Sequence, residues 1–496
     1  MERGSARAHI RTAQTADTQL IATHSDVLII GAGSAGCVLA EQLSRDPACH
    51  ITVLEQGPSL SDPQIAGLTK NGSVLPIGLG SPVARHYPTS LTTHPHRPVR
   101  LVRGAVVGGS GAVNGGYFCR AVPADFARWR LPGWDWSDVL EHYRAIETDR
   151  DFDGPMHGDS GPIPVQRCND ISQNAELFVH GAVEARYPWI ADLNGEPAPE
   201  GFGPVPLNIV DGVRHGPGWG CIQPSLRRAN LRLLTQTTAR RVRLTASRAV
   251  GVQADSPHGA IELTADRIVL SAGSIGSAHL LMLSGIGDED ALRRAGVPVE
   301  VRLPVGQHCA DHPEWVLSTT WGTEIDRPVL EVVLHTADNL EIRPYTGGFV
   351  SMIGDHRQGH PDWPHVGVAL MQPRARGRVT LASDDPRVPP HIEHRYDSEP
   401  ADVAALRQGA ELVREICSAK TQLGQPMWST SQHLCGTAPM GNDGDEHAVL
   451  DPQCRVRGIE SLWVVDGSVM PTIPSRGPHA TIAMVAQRAA EFVYAG

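Results

Sequence analysis

Six residues constrain this 496-residue chain more than any others: Gly31-Ala-Gly33-Ser34-Ala-Gly36. They follow a short apolar run of buried-strand type, Asp26-Val-Leu-Ile-Ile30, and precede a segment of helical pattern, Cys37–Asp46, which Pro47 ends. A second apolar run, Ile51-Thr-Val-Leu-Glu55, closes a βαβ unit of about 30 residues. In such a unit the first glycine permits the tight turn, the second lets a pyrophosphate approach the backbone, and the third lets helix and strand pack closely. The helix start offers unpaired N–H groups and a positive dipole end to phosphates. Glu55 ends the second strand, 19 residues after Gly36, where a carboxylate can bond ribose hydroxyls. A glutamate there, rather than a nearby arginine, favours a ribose without a 2′-phosphate. The motif does not distinguish NAD from FAD.

Similar pieces recur far along the chain. Arg267-Ile-Val-Leu-Ser271 and Leu462-Trp-Val-Val-Asp466 read as buried parallel strands. Thr481–Tyr494 carries Ile482, Val485, Ala489, Phe492 and Val493 at helical spacing, the pattern of an amphipathic helix on a core. The expected fold class is therefore α/β, with a doubly wound, Rossmann-like domain assembled from the discontinuous segments 26–150, 216–309 and 432–496. The intervening segments 151–215 and 310–431 form a second lobe. Residues 58–100, rich in Pro, Gly, Ser and Thr without clear periodicity, read as an extended excursion over the surface. Residues 1–25 are polar, lack the apolar core of a signal peptide, and read as a disordered tail. Ile268–Gly287 holds four glycines, four serines and His279, too polar for a membrane span, so no transmembrane segment is expected.

Composition narrows the partners. With 41% hydrophobic and 20% charged residues the balance is globular, which excludes a disordered or coiled-coil chain. Lys plus Arg number 43 against 54 Asp plus Glu, a formal charge of −11 without a long basic run, which argues against nucleic acid as a partner. Only Lys70 and Lys420 are lysines, a bias towards arginine. The nine cysteines lack a C-x-x-C pair, so neither a disulfide framework nor a zinc site is suggested, and a reducing cytoplasm is the expected place. His94-Pro-His96 has no third ligand spaced near it, and no metal is expected.

A second glycine cluster spans Arg103-Gly104-Ala-Val-Val-Gly108-Gly109-Ser110-Gly111-Ala-Val-Asn114-Gly115-Gly116. Six glycines in thirteen residues make a poor core segment. Composition leaves a backbone cradle and a flexible surface loop both open. As a cradle, its N–H groups with Ser110 and Asn114 could hold phosphate or a flavin edge.

These blocks together resemble the glucose–methanol–choline (GMC) flavoprotein oxidoreductases. Three further blocks carry the resemblance: Gly273-Ser-Ile-Gly-Ser-Ala-His-Leu-Leu-Met-Leu-Ser-Gly-Ile-Gly287, His433-Leu-Cys-Gly436-Thr437-Ala-Pro-Met440-Gly441, and Asp466-Gly-Ser-Val-Met-Pro471 with His479-Ala-Thr481. The resemblance implies FAD, an FAD-binding domain built from the discontinuous segments, and an α+β substrate domain whose antiparallel sheet faces the flavin. Carried over, Gly31, Gly33, Ser34 and Gly36 hold the pyrophosphate, Glu55 the adenosine ribose, and the backbone of Ala239 the adenine. Arg103, Gly108, Gly109, Ser110 and Asn114 belong along the cofactor, with Asp466 and Thr481 closing the site. The start of the last helix can stabilise negative charge on reduced flavin. Some relatives attach FAD through a histidine before the asparagine; this chain has Val113 there, which implies non-covalent FAD. The loop Leu303-Pro-Val-Gly306-Gln-His-Cys-Ala-Asp311-His312-Pro-Glu-Trp315 departs from the family's usual form.

The implied activity is oxidation of a CH–OH group by hydride transfer to flavin N5. Of 23 histidines, His433 and His479 fall at the family's active-site positions. His433 is assigned as the base that accepts the alcohol proton, and His479 as a second donor or acceptor for the hydroxyl. Asp311-His312 lacks the G-x-S-x-G elbow of a nucleophilic triad. Trp129, Trp134 and Trp136 with Pro132-Gly133 read as packing. The run Gly108–Arg120 with Asp311–Trp315 is similar to the GMC subgroup associated with mycofactocin, a peptide-derived redox cofactor. It implies a dehydrogenase with a small alcohol or reduced mycofactocin as donor, and a respiratory-chain component or oxygen as acceptor. Such an enzyme would be cytoplasmic, at most peripheral at the inner face of the membrane. The same scaffold can also host an alcohol oxidase or a hydroxynitrile lyase.

Overall fold

The computed structural model describes residues 24–324, 326–353, 362–417 and 421–496. The expected tail lies outside these residues up to position 23. His24 and Ser25, assigned to that tail from the sequence, instead begin the first strand, His24–Ile30.

A seven-stranded sheet forms the larger layer. Its order is Leu231–Leu234, Ile51–Leu54, His24–Ile30, Gly259–Leu270, Arg248–Ser256 and Thr238–Thr245, with Leu462–Val464 beside the C-terminal part of Gly259–Leu270. Val27 pairs in parallel with Ile51 on one side and Arg267 on the other, and Ile268 pairs in parallel with Leu462. These runs are apolar at successive positions because both of their faces are covered; Val27, Leu28 and Ile29 are buried. The helix Ser34–Leu43 packs against the C-terminal helix His479–Ala495. The first ends at Leu43, before the expected Asp46, and the second begins at His479, two residues before the expected Thr481.

Residues 58–100 correct the sequence reading. They hold a helix, Pro63–Lys70, whose N-cap Asp62 accepts from the N–H groups of Gln64 and Ile65. They also hold Ala84–Ser90, which pairs antiparallel with Pro98–Gly104. The rejected membrane candidate is the end of a strand followed by the buried helix Gly273–Leu283. No helix among the described residues is long and apolar enough to cross a membrane.

The second layer is an antiparallel sheet of six strands. Its order is Met427–Thr430, Pro313–Ser318, Pro364–Leu370, Leu340–Gly348, Val332–His335 and Gly201–Pro204. The helices Gln173–Glu184 and Pro400–Cys417 cover it and close a separate core around Phe178, Leu317, Ile342, Val368, Leu406 and Val413. The architecture is thus a doubly wound α/β domain built from discontinuous segments, with an α+β domain carrying an antiparallel sheet. Trp129 and Trp134 pack into the first core with Phe126, Tyr143 and Phe492, as packing residues should.

Candidate active site

The site begins where the first strand turns into the first helix. Gly31 has φ +104°, and a methyl group on it would lie 2.5 Å from the Ser271 carbonyl oxygen. A methyl on Gly36 would collide with the carbonyl of Gly31, so helix and strand are as close as glycine allows. Gly33 caps the helix without a side-chain bond, which leaves first-turn N–H groups for a ligand. The C-terminal helix is built alike: its N-cap, Pro478, supplies no capping side chain.

The second glycine cluster joins these two helix starts. Gly108 donates its N–H to the carbonyl of Ala32 at 2.7 Å. A methyl on Gly109 would lie 2.7 Å from Gly33 Cα, and one on Gly111 would lie 2.5 Å from both Ser34 Oγ and His479 Nε2. Ser34 opens the first helix and His479 the last, so both uncapped starts converge on Gly111. This cradle is a packed feature, and the flexible-loop alternative falls.

His479 is half-buried, and its ring is tied into the cradle. Asn114 Oδ1 accepts from the Gly116 N–H at 3.0 Å, which turns its Nδ2 towards His479 Nδ1 at 3.1 Å. An amide nitrogen only donates, so His479 Nδ1 accepts and Nε2 carries the proton. That Nε2 is buried with no partner among the described residues. Burial holds the pKa of His479 down to about 4, with Arg214 adding to the effect. His433 sits on the other side of the turn that leads into the last helix. A methyl on Gly477 would lie 2.9 Å from Tyr117 Cδ1 and 3.5 Å from His433 Cε1. His433 Nδ1 is 2.9 Å from His312 Nδ1. Burial, and then His312, hold the His433 pKa well below the ordinary imidazole value.

With this geometry in place, one family accounts for it. Models described as GMC oxidoreductase match residues 25–314 and 373–486. The chain belongs to the GMC oxidoreductase family. It is 39% identical over 494 residues to an uncharacterized GMC-type oxidoreductase in the thcA 5′ region of Rhodococcus erythropolis, covering 94% of this chain and 98% of that one. It is 31% identical to the oxygen-dependent choline dehydrogenase of Vibrio vulnificus, covering 95% and 94%. Among solved structures, pyridoxine 4-oxidase from Mesorbium loti superposes with a TM-score of 0.85 at 25% identity, covering 95% and 99%. This GMC chain is an FAD-dependent oxidoreductase acting on CH–OH donors.

The residues of this GMC oxidoreductase fit FAD. Two uncapped helix starts and a glycine cradle are arranged around one place. Glu55 is buried and accepts from the N–H groups of Ala32 at 3.1 Å and Gly57 at 2.8 Å. Thr237 donates its N–H to the Glu55 carbonyl at 2.8 Å, which sets the strand bearing Ala239 beside it. Arg103 Nη1 bonds the Val102 carbonyl and, at 3.3 Å, Gln432 Oε1, tying the strand Pro98–Gly104 to the residue before His433. Ser110 Oγ accepts from the Gly104 N–H at 3.1 Å. Asp466 accepts from Gly273 N–H, Ser277 Oγ and Ser468 N–H at 2.8, 2.6 and 2.7 Å, and so anchors two helix starts. Thr481 Oγ1 is 2.8 Å from Tyr143 OH inside the core. The side chains of Asp466 and Thr481 therefore serve the protein, and what they leave for a ligand is backbone.

Several neighbours show their contacts only in three dimensions. Asp311 Oδ1 accepts from the backbone N–H of both His312 and His433, at 2.8 and 2.7 Å. Glu341 accepts from Tyr117 OH at 2.7 Å, His335 Nε2 at 2.7 Å and Arg343 Nε at 2.6 Å. Glu314 accepts from Tyr345 OH at 2.9 Å and lies 3.4 Å from Arg343 Nη1. Away from the site, Glu147, Asp149 and His157 cluster in metal-ligand fashion. Arg120 pairs with that Glu147 and Arg167 with that Asp149, so the cluster is an ion network.

Proposed function

We propose that this chain is a dehydrogenase for the CH–OH group of an uncharged alcohol, with His433 as base and FAD held without a covalent bond. The cofactor belongs to segments 26–150, 216–309 and 432–496, and the alcohol to 151–215 and 310–431. The observation that carries this reading is the convergence of two uncapped helix starts on Gly111, with the buried, unpartnered His479 Nε2 at the same spot. When bound, FAD supplies the hydride acceptor, taking the carbon-bound hydrogen with both its electrons. The protein has the hydroxyl proton to manage. His433 receives it, and the N–H at His479 Nε2 donates to the alcohol oxygen and steadies its developing charge. Both imidazoles are kept neutral by burial, so one can serve as acceptor and the other as a neutral donor. Gly31, Gly33, Ser34 and Gly36 hold the pyrophosphate, Glu55 the ribose and Ala239 the adenine, while Gly108, Gly109, Ser110 and Asn114 line the flavin.

Charge on the substrate side supports an uncharged donor. Glu341 and Glu314 both face Arg343, and Glu341 is further occupied by Tyr117 and His335. Neither carboxylate is free to balance a quaternary ammonium such as choline. The run Gly108–Arg120 with Asp311–Trp315 supports reduced mycofactocin as the donor and a respiratory-chain component as acceptor. A cytoplasmic enzyme meeting the inner face of the membrane belongs to the same proposal. Val113 is buried and offers no nitrogen for attachment, in support of non-covalent FAD. Oxygen as acceptor is the second reading, favoured by the names of the choline dehydrogenase and pyridoxine oxidase relatives.

An anaerobic visible spectrum tests this. Reduced mycofactocin and a panel of neutral alcohols are added in turn, with choline as the cationic comparison, and air is then admitted. Bleaching by a neutral donor but not by choline, persisting in air, is the expected result. Rapid recovery in air means an oxidase, and bleaching by choline alone overturns the charge argument. A bound flavin that no alcohol bleaches overturns the redox reading.

A further inference from the structure

We propose that His312 is a positioning residue that dictates which nitrogen of His433 carries a proton, leaving Nε2 bare to receive the one from the alcohol. The inference rests on the reading of His433 as base, but its own content is the protonation pattern of two rings. Four atoms decide it. The Pro474 carbonyl can only accept, and His312 Nε2 lies 3.0 Å from it, so His312 Nε2 is the donor. Burial keeps His312 neutral, with its pKa held down to about 4, so its other nitrogen, Nδ1, has a lone pair and no proton. His433 Nδ1 lies 2.9 Å from that lone pair and must therefore donate. A neutral imidazole carries one N–H, and His433 Nε2 is left as the acceptor. The opposite tautomer of His433 would set two lone pairs against each other across that gap.

Asp311 makes the arrangement rigid. Its Oδ1 accepts from the main-chain N–H groups of His312 and His433, while Oδ2 accepts from Tyr396 OH at 2.9 Å and Thr430 Oγ1 at 2.8 Å. The carboxylate thus fixes the spacing of the two backbones, and His312 fixes the proton. Asn114 imposes the other pattern on His479, with Nδ1 accepting and Nε2 donating. The two rings therefore present one bare nitrogen and one N–H, the pair that an alcohol hydroxyl needs as it donates to one and accepts from the other. When the hydroxyl proton binds His433 Nε2, the proton on Nδ1 stays in place. Its bond to His312 becomes charge-assisted, and the polarised chain ends at the Pro474 carbonyl. No further proton leaves the pair during the step.

Histidine-ring NMR of the ¹⁵N-histidine-labelled holoenzyme tests this directly, with the His433 signals identified as those lost in His433→Asn. The expected spectrum has His433 protonated at Nδ1 and bare at Nε2. In His312→Leu the preference disappears and flavin reduction slows by about tenfold or more, with FAD still bound. His312→Asn sets a carbonyl oxygen near the position of the ring Nδ1, and it restores both the tautomer and most of the rate. A wild-type His433 protonated at Nε2, or an unchanged tautomer in His312→Leu, overturns the proposal. If His312→Leu does not fold, the wild-type spectrum decides alone. If the tautomer is as stated but His433→Asn reduces flavin at the wild-type rate, the base assignment falls and the pairing of the rings stands.

Discussion

Burial pushes the Glu55 carboxyl up to about 7, although the N–H groups of Gly57 and Ala32 work the other way. Ribose hydroxyls donate best to the ionised form, so FAD affinity should fall as pH drops below about 7. Titrating apoprotein with FAD across about pH 5.5–8, followed by flavin fluorescence, should show this, and Glu55→Gln should remove the dependence. The sign for folding is the reverse. A folded pKa above the ordinary carboxyl value near 4.3 means that apoprotein stability rises as pH falls from about 7 towards about 4.3. At His433, replacement by Asn should leave FAD bound and cut flavin reduction by roughly 10²–10⁴-fold, read by anaerobic stopped flow. Glu55 stood out in the sequence because it ends a patterned strand, and His433 and His479 because they fall at positions that the family resemblance marks. His312 did not, since its role rests on His433, 121 residues away, and on a carbonyl in another loop. Asn114 was legible as a member of the glycine cluster, but its bond to His479 spans 365 residues.

Among the elements, the strand–turn–helix of residues 24–43 was readable because its strand is apolar throughout and its glycines mark close approach. The antiparallel pair Ala84–Ser90 and Pro98–Gly104 was not. Its strands carry prolines at 88 and 98 and mix buried, half-buried and exposed positions without a period, so neither alternation nor a continuous apolar run appears. The two glycine loops invite opposite outcomes on substitution. Gly36→Ala drives a methyl into the backbone of Gly31, which cannot yield, and should lower apoprotein stability by about 1–3 kcal/mol in chemical denaturation. Gly111→Ala meets only the ends of the Ser34 and His479 side chains. It should fold with a near-normal midpoint and bind FAD about tenfold more weakly or worse, a loss of about 1.4 kcal/mol per tenfold.

Across the whole molecule, distant segments are held together by buried charge as well as by the two cores. Arg120, Glu147, Asp149, His157, Arg167 and Asp192 form a network that ties the stretch at 120 to those at 147–167 and 192. Burial opposes a charged His157, but its bonds to Asp149, Asp192 and Glu147 outweigh it and push the pKa up to about 10. The stabilisation from His157 is therefore complete below the ordinary histidine value near 6.5 and disappears as pH rises through about 10. His157→Gln should destabilise the protein at neutral pH and flatten the alkaline limb of its melting profile. FAD at about a hundred times its Kd should add about 2.7 kcal/mol to the stability of the folded chain, visible as a rise in Tm.

The strand Leu462–Val464 lies beside Ile268–Leu270, and the helix that follows supplies both His479 and the second uncapped start at Gly111. On the proposed assignment, each molecule leaving the ribosome must wait for residues 462–495 before flavin can be captured. Until then the backbone of Ile268–Leu270 lacks that neighbour and is open to pairing with other chains. Flavin loading is then expected only in a polypeptide that has reached this helix. A product truncated before Leu462 is consequently a colourless target for proteolysis rather than a slow enzyme.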